Sequence, residues 1–206
     1  MTIMKTLVLA SSNAGKLKEL NALLASVQVS VRPQSDWSVE DADETGLSFV
    51  ENAILKACHA AAATGLPALA DDSGLVVDAL QGAPGIYSAR YAARAGLPGG
   101  DAGNIAYLLQ ELARVGGDQP ATARFVCVLA LVRHADDPLP VICQATWEGE
   151  MTPMPAGRGG FGYDPIFYIP SEGCTSAELT PERKQQLSHR GRALRELLLR
   201  WSETGL

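Results

Sequence analysis

Short apolar runs of strand length alternate along this chain with stretches of helical period, and that interleaving is the pattern of an α/β fold. Leu7 to Ala10 reads as a buried strand, and Lys16 to Leu24 as an amphipathic helix with Leu17, Leu20, Leu23 and Leu24 on one face. Val27, Val29 and Val31 alternate with polar residues, which is strand spacing. An acidic loop holding Asp36, Glu40, Asp41, Asp43 and Glu44 follows. Ser48-Phe49-Val50-Glu51 has the form of a capping box and predicts an Ala-rich helix to about Thr64, stopped by Gly65 and Pro67. Two short strands are expected at Ala68–Ala70 and Leu75–Leu80, with Asp71-Asp72-Ser73-Gly74 as the turn between them. Beyond a turn at Gly82–Gly85, the pattern predicts a helix over Asn104–Ala113, strands at Ala123–Val132 and Val141–Glu148, and a Gly-rich loop at Gly157–Gly162. A last helix near Ser188–Ser202 presents Leu194, Leu197, Leu198 and Trp201.

At 206 residues the expectation is one domain, 1–206, with two lobes, since no Pro/Ser-rich linker divides it. A hydrophobic content of 47% supplies a core, which excludes wholesale disorder. The longest apolar run, Phe125–Val132, has 8 residues, too few to cross a bilayer, and Leu7–Ala10 is too short for a signal peptide. The 4 cysteines are widely spaced without a CxxC pair, which reads as reduced thiols of a cytoplasmic protein. A net charge of -6 argues against a nucleic-acid polymer as partner but allows a small anion held by local cations.

Four segments carry residue types suited to chemistry. Ser11-Ser12-Asn13-Ala14-Gly15-Lys16 lies between a strand and a helix, where unpaired backbone N–H groups, the helix dipole and Lys16 favour an anion. It is no Walker A loop, because Ala10 stands in place of the first Gly and Leu17 in place of Ser or Thr. The plain alternative is a turn capped by Asn13. Asp71-Asp72-Ser73-Gly74 puts two acids after an apolar strand, a costly arrangement unless they are paired or bind a metal. Strand alternation turns only one of the two toward a given site, and spacing leaves open which. With Glu44 or Glu51, Asp72 would supply the one or two carboxylates that magnesium usually takes beside phosphates and water. Here the alternative is a self-capped polar turn.

In Gly157-Arg158-Gly159-Gly160-Phe161-Gly162-Tyr163-Asp164-Pro165, glycines permit close approach of backbone to a ligand. Phe161 and Tyr163 offer aromatic faces for a nucleobase, and Asp164 a bond to its edge. Finally, Lys184 and Ser188-His189-Arg190-Gly191 place cations at the start of the last helix. Cations there oppose the helix dipole and call for an anionic or carbonyl partner.

These segments, with Phe49-Val50-Glu51-Asn52-Ala53 and Lys56 and with Gly82-Ala83-Pro84-Gly85-Ile86-Tyr87-Ser88-Ala89-Arg90-Tyr91, resemble the inosine triphosphate pyrophosphatase family. They span nearly the whole chain in the family's order. One departure is Ser11-Ser12, where the family commonly has Thr-Gly. The resemblance implies a long twisted mixed sheet flanked by helices, two lobes with the nucleotide between them, a homodimer, and a requirement for Mg2+. It implies hydrolysis of dITP, ITP and XTP to the monophosphate and pyrophosphate. It places the catalytic base and a metal ligand on Asp72, a second metal ligand on Glu44, and phosphate contacts on Ser11, Ser12, Asn13, Ala14, Gly15, Lys16, Lys56 and Ser73. Base recognition falls to Phe161, Gly162, Tyr163, Asp164, Lys184, His189 and Arg190. Two rival readings are a non-catalytic purine-nucleotide-binding regulator and a serine hydrolase at Ser73. The second has no GxSxG elbow to support it.

Overall fold

The computed structural model describes residues 5–11, 17, 20–21, 24, 29–117 and 120–206. Among these, seven strands form one sheet in the order β2-β1-β3-β4-β5-β6-β7. They are β1 (Lys5–Leu9), β2 (Val29–Pro33), β3 (Ala68–Val77), β4 (Ala121–Val132), β5 (Val141–Met151), β6 (Phe167–Ile169) and β7 (Cys174–Thr175). β1 runs parallel to β2 and to β3, while the pairs β5–β6 and β6–β7 are antiparallel, so the sheet is mixed. The described helices are α1 (Phe49–Thr64), α2 (Tyr91–Arg94), α3 (Gly100–Val115), α4 (Pro181–Leu187) and α5 (His189–Leu199). Leu17, Leu20, Asn21 and Leu24 are also helical, as their leucine spacing predicts; the rest of that expected helix lies outside the described residues.

The residues fall into two compact units, Met1–Asp72 with Cys127–Ala145 and Arg192–Leu206, and Ser73–Val126 with Thr146–Gly191. In the first unit β1 lies between β2 and β3, with Leu7 opposite Val31 and Leu9 opposite Leu69. Leu7, Leu9, Leu20, Leu24, Leu69, Leu129 and Leu194 form its core. β4 is buried at every residue from Phe125 to Val132, whichever face the side chain turns to, which explains why this run shows no alternation. Helix α1 begins where the sequence places it. Ser48 accepts a hydrogen bond from the Glu51 N–H, and Gly65, at φ 68°, closes the helix with its N–H on the Ala61 carbonyl. Its alanines at 53, 57, 60 and 61 are buried.

The second unit is built on aromatic packing. Phe125 lies 4.5 Å from Phe167 between ring centroids, and Trp147 lies 5.4 Å from Phe167. Leu75, Val77, Leu108 and Ile166 complete the cluster. The turn expected at Asp71–Gly74 is absent: β3 continues through it as one strand of 10 residues and ends in a 3-10 turn at Asp78–Leu80. The acids stay in the strand because a lysine meets them there. The last helix lies where the sequence places it, as α5 at His189–Leu199. The short helix before it, α4, is not among the expected elements; Thr180 caps it through the Arg183 N–H, with Pro181 in its first turn.

Candidate active site

Ligands of parallel α/β sheets gather beyond the carboxyl ends of the strands. A pocket of about 350 Å³ in the first unit is lined by Ala10 and Ser11 after β1, Gln34 after β2, Asp71 near the middle of β3, and Asp41–Glu44 and Lys56. Lys56 projects from α1. Its Nζ donates to Asp72 Oδ1 at 2.6 Å, to Glu44 Oε1 at 2.9 Å and to the Asp71 carbonyl oxygen at 3.1 Å. Burial opposes the charge on Lys56, but the Asp72 and Glu44 carboxylates outweigh it and hold the ammonium above the usual lysine range. Asp71 is turned elsewhere: its carboxylate is buried, with the Cys127 thiol 3.6 Å from Oδ2.

Two carboxylates converging on one cation form a donor set a hard divalent ion would accept in exchange. Among the described residues no three His, Cys, Asp or Glu side chains gather into a metal cage. Two carboxylates suit magnesium, which takes few protein ligands and fills its shell with phosphates and water. Ser12, Asn13, Ala14, Gly15 and Lys16 lie outside the described residues.

In the second unit, Ser73 Oγ accepts a hydrogen bond from Arg190 Nη2 at 3.1 Å. The Gly-rich loop is organised by buried Asp164. Its Oδ2 accepts from the Phe161 N–H at 2.8 Å and from Lys184 Nζ, and its Oδ1 accepts from Ser176 Oγ at 2.8 Å. Gly160 sits at φ 74°, and a Cβ there would fall 2.0 Å from Asp164 Oδ2, so this close wrap requires glycine. The Gly162 N–H donates to Asp101 Oδ2 at 2.7 Å. The wrap leaves Phe161 52% exposed. Lys184 Nζ lies 5.3 Å and Arg190 Cζ 5.8 Å from its centroid.

The other aromatic of the loop does not join Phe161. Tyr163 is buried, and its hydroxyl donates to the Ser88 carbonyl at 2.8 Å. Burial pushes that hydroxyl well above the usual tyrosine range. His189 likewise stacks on Phe125 at 4.9 Å and 15°, within the aromatic core.

Residues 7–200 match the sequence model of the Ham1 family. The chain belongs to the Ham1 family. A relative named dITP/XTP pyrophosphatase from Escherichia coli K12 is 55% identical over 195 residues, covering 95% of this chain and 97% of the relative. One of the same name from Vibrio cholerae is 56% identical over 194 residues, covering 94% and 95%. The structure of a HAM1 protein from Coxiella burnetii superposes with a TM-score of 0.91 at 50% identity, covering 97% of this chain and all 100% of that one. The family is thus the one the motif resemblance implies.

Of the residues singled out in the sequence, the structure groups Glu44, Lys56 and Asp72 in the first unit of this Ham1 chain. In the second it groups Phe161, Asp164, Lys184 and Arg190. The supporting residues Asp101 and Ser176 were not among the expectations. Each lies at least 12 residues from its partner, beyond the reach of local pattern. The Gly82–Tyr91 motif is in part scaffold, for Ser88 Oγ bonds the Leu75 N–H at 2.8 Å and the Gly85 carbonyl at 2.6 Å.

Proposed function

We propose that this chain hydrolyses non-canonical purine nucleoside triphosphates, dITP, ITP and XTP, to the monophosphate and pyrophosphate. The observation that carries the reading is the convergence of Asp72 and Glu44 on Lys56. It sits in a chain more than half identical to named dITP/XTP pyrophosphatases.

Asp72 and Glu44 would hold Mg2+, which when bound neutralises polyphosphate charge and raises the acidity of a water. Asp72 orients the attacking water at the α-phosphorus and takes its proton. Lys56, released from the carboxylates as the ligands arrive, offsets charge on the phosphate oxygens and on the departing pyrophosphate. Ser11, Ser73 and residues 12–16 bind phosphate oxygens. Phe161 stacks on the base, and Asp164, Lys184, His189, Arg190 and backbone groups of Gly162 and Tyr163 set its edge. Most of the rate then comes from positioning and electrostatics. We place the enzyme in the cytoplasm as a homodimer, following the family resemblance. Among the described residues no helix is long and apolar enough to cross a membrane.

The serine-hydrolase alternative is disfavoured because Ser73 Oγ accepts from Arg190, which cannot serve as its base. A non-catalytic regulator would have no use for two carboxylates gathered on one lysine. Phosphorus NMR of the products from ITP with magnesium tests the proposal: monophosphate and pyrophosphate are expected, and orthophosphate with diphosphate as primary products rejects the bond assignment.

A further inference from the structure

The acidic loop that delivers Glu44 runs along one side of α1 in reverse order. Glu40 offers its carbonyl to His59 Nε2 at 3.1 Å, and Glu44 meets Lys56 at 2.9 Å. The Gly46 N–H donates to Asn52 Oδ1 at 2.8 Å, and the Leu47 N–H donates to Glu51 Oε2 at 2.9 Å. Asn52, Lys56 and His59 have the i, i+4, i+7 spacing of a single helical stripe, so loop and helix are joined rung by rung. Gln34 Nε2 braces the loop from its other flank, donating to Asp41 Oδ1 at 2.6 Å.

The rung nearest Glu44 on its C-terminal side is the tightest. A Cβ on Gly46 would stand 2.7 Å from both Asn52 Oδ1 and Glu51 Cβ, so only glycine lets the loop come this close. Asn52 is wholly buried, and its Nδ2 has no hydrogen-bond partner among the described residues. A residue serving only to fill the core there would be apolar. Among the described residues the side chain's one polar contact is the Gly46 rung.

We infer that Asn52 and Gly46 are positioning residues that fix the register of the acidic loop, and through it the approach of the Glu44 carboxylate to Asp72. The inference rests on the reading of Glu44 and Asp72 as ligands of a divalent cation. Groups that orient metal ligands typically govern about 10- to 100-fold in metal affinity.

The test is Mn2+ titration of the full chain, read from the electron paramagnetic resonance of free Mn2+, with Glu44→Gln, Gly46→Ala and Asn52→Ala compared with wild type. Gly46→Ala decides, because it leaves every side chain of the ladder in place and displaces the loop only by bulk. Weakening of Mn2+ binding by about 10- to 100-fold is expected in all three, with the Gly46→Ala turnover recovering as magnesium is raised. Should Asn52→Ala fail to fold, as judged by circular dichroism, Gly46→Ala still answers the question. Wild-type Mn2+ affinity in Gly46→Ala beside a weakened Glu44→Gln overturns the positioning role and leaves the metal reading standing. Unchanged affinity in Glu44→Gln overturns both.

Discussion

Lys56 treats the consecutive acids of β3 differently: its Nζ bonds the carboxylate of Asp72 at 2.6 Å but only the backbone carbonyl of Asp71. The strand turns successive side chains to opposite faces, so one carboxylate reaches the lysine and the other is buried beside Cys127. Asp72→Asn should therefore lower turnover by at least about 10²-fold, the usual loss for a general base. Asp71→Asn should lose less. Steady-state kinetics on both variants, with circular dichroism to confirm folding, separates the roles.

Removing the cation instead takes from Asp72 and Glu44 the ammonium they share. Lys56→Ala should cost about 2–4 kcal/mol of transition-state stabilisation, about 30- to 1,000-fold in kcat/KM. An unchanged kcat/KM for ITP would reduce Lys56 to a structural counter-ion.

On the proposed reading, base choice rests on the second unit. Hypoxanthine and xanthine present an acceptor oxygen at C6, whereas adenine presents an amino donor. Arg190, already beside Phe161 and donating to Ser73, supplies only donors. Arg190→Ala should erode the preference for ITP over ATP by about tenfold or more, since a donor facing a donor is what penalises adenine. Ratios of kcat/KM for the two substrates measure it.

Gly160→Ala attacks the loop by sterics alone. A positive φ costs a side-chain-bearing residue about 1–2 kcal/mol, and here the Cβ also meets Asp164. KM for every purine triphosphate should rise by roughly tenfold or more, with a smaller change in kcat.

A prediction about stability comes from Asp137. It accepts from the Arg133 guanidinium and from the Arg133 and Leu139 N–H groups, and the guanidinium holds its carboxyl well below the usual range. The stabilisation is complete above the unfolded carboxyl value of about 4 and fades as pH falls toward the lower folded value. Asp137→Asn should lower Tm at pH 7 by about 2–6 °C, and the gap to wild type should narrow below about pH 4. Calorimetry across that range checks both the size and the sign.

The elements legible in the sequence are those written by local rules. Ser48 and Gly65 bracket α1, and the leucines of the expected first helix fall on a buried face where they are described. The Asp71–Gly74 segment misleads because two acids, a serine and a glycine have turn composition. What keeps them in a strand is Lys56, 16 residues away from Asp72. The site is legible in its residue types but not in its division of labour. Phe161 and Tyr163 look alike as aromatics of a glycine loop, and only the Ser88 carbonyl, 75 residues off, draws Tyr163 inward. Helix α4, which carries Lys184, is concealed by Pro181, a residue more often met as a helix breaker than as a helix opener.

The half-exposed ring of Phe161 is a hydrophobic surface held open to water by a rigid carboxylate wrap. Covering it with any flat base releases that water, and the gain is nearly the same for every purine. On the proposed reading, attraction and discrimination thus belong to different atoms. The ring would draw in all comers, and the surrounding donors and acceptors would pass judgement once the base has arrived. Changes in the cell's mixture of purines would then be felt first as competition for the ring, before they are felt as changes in what is hydrolysed.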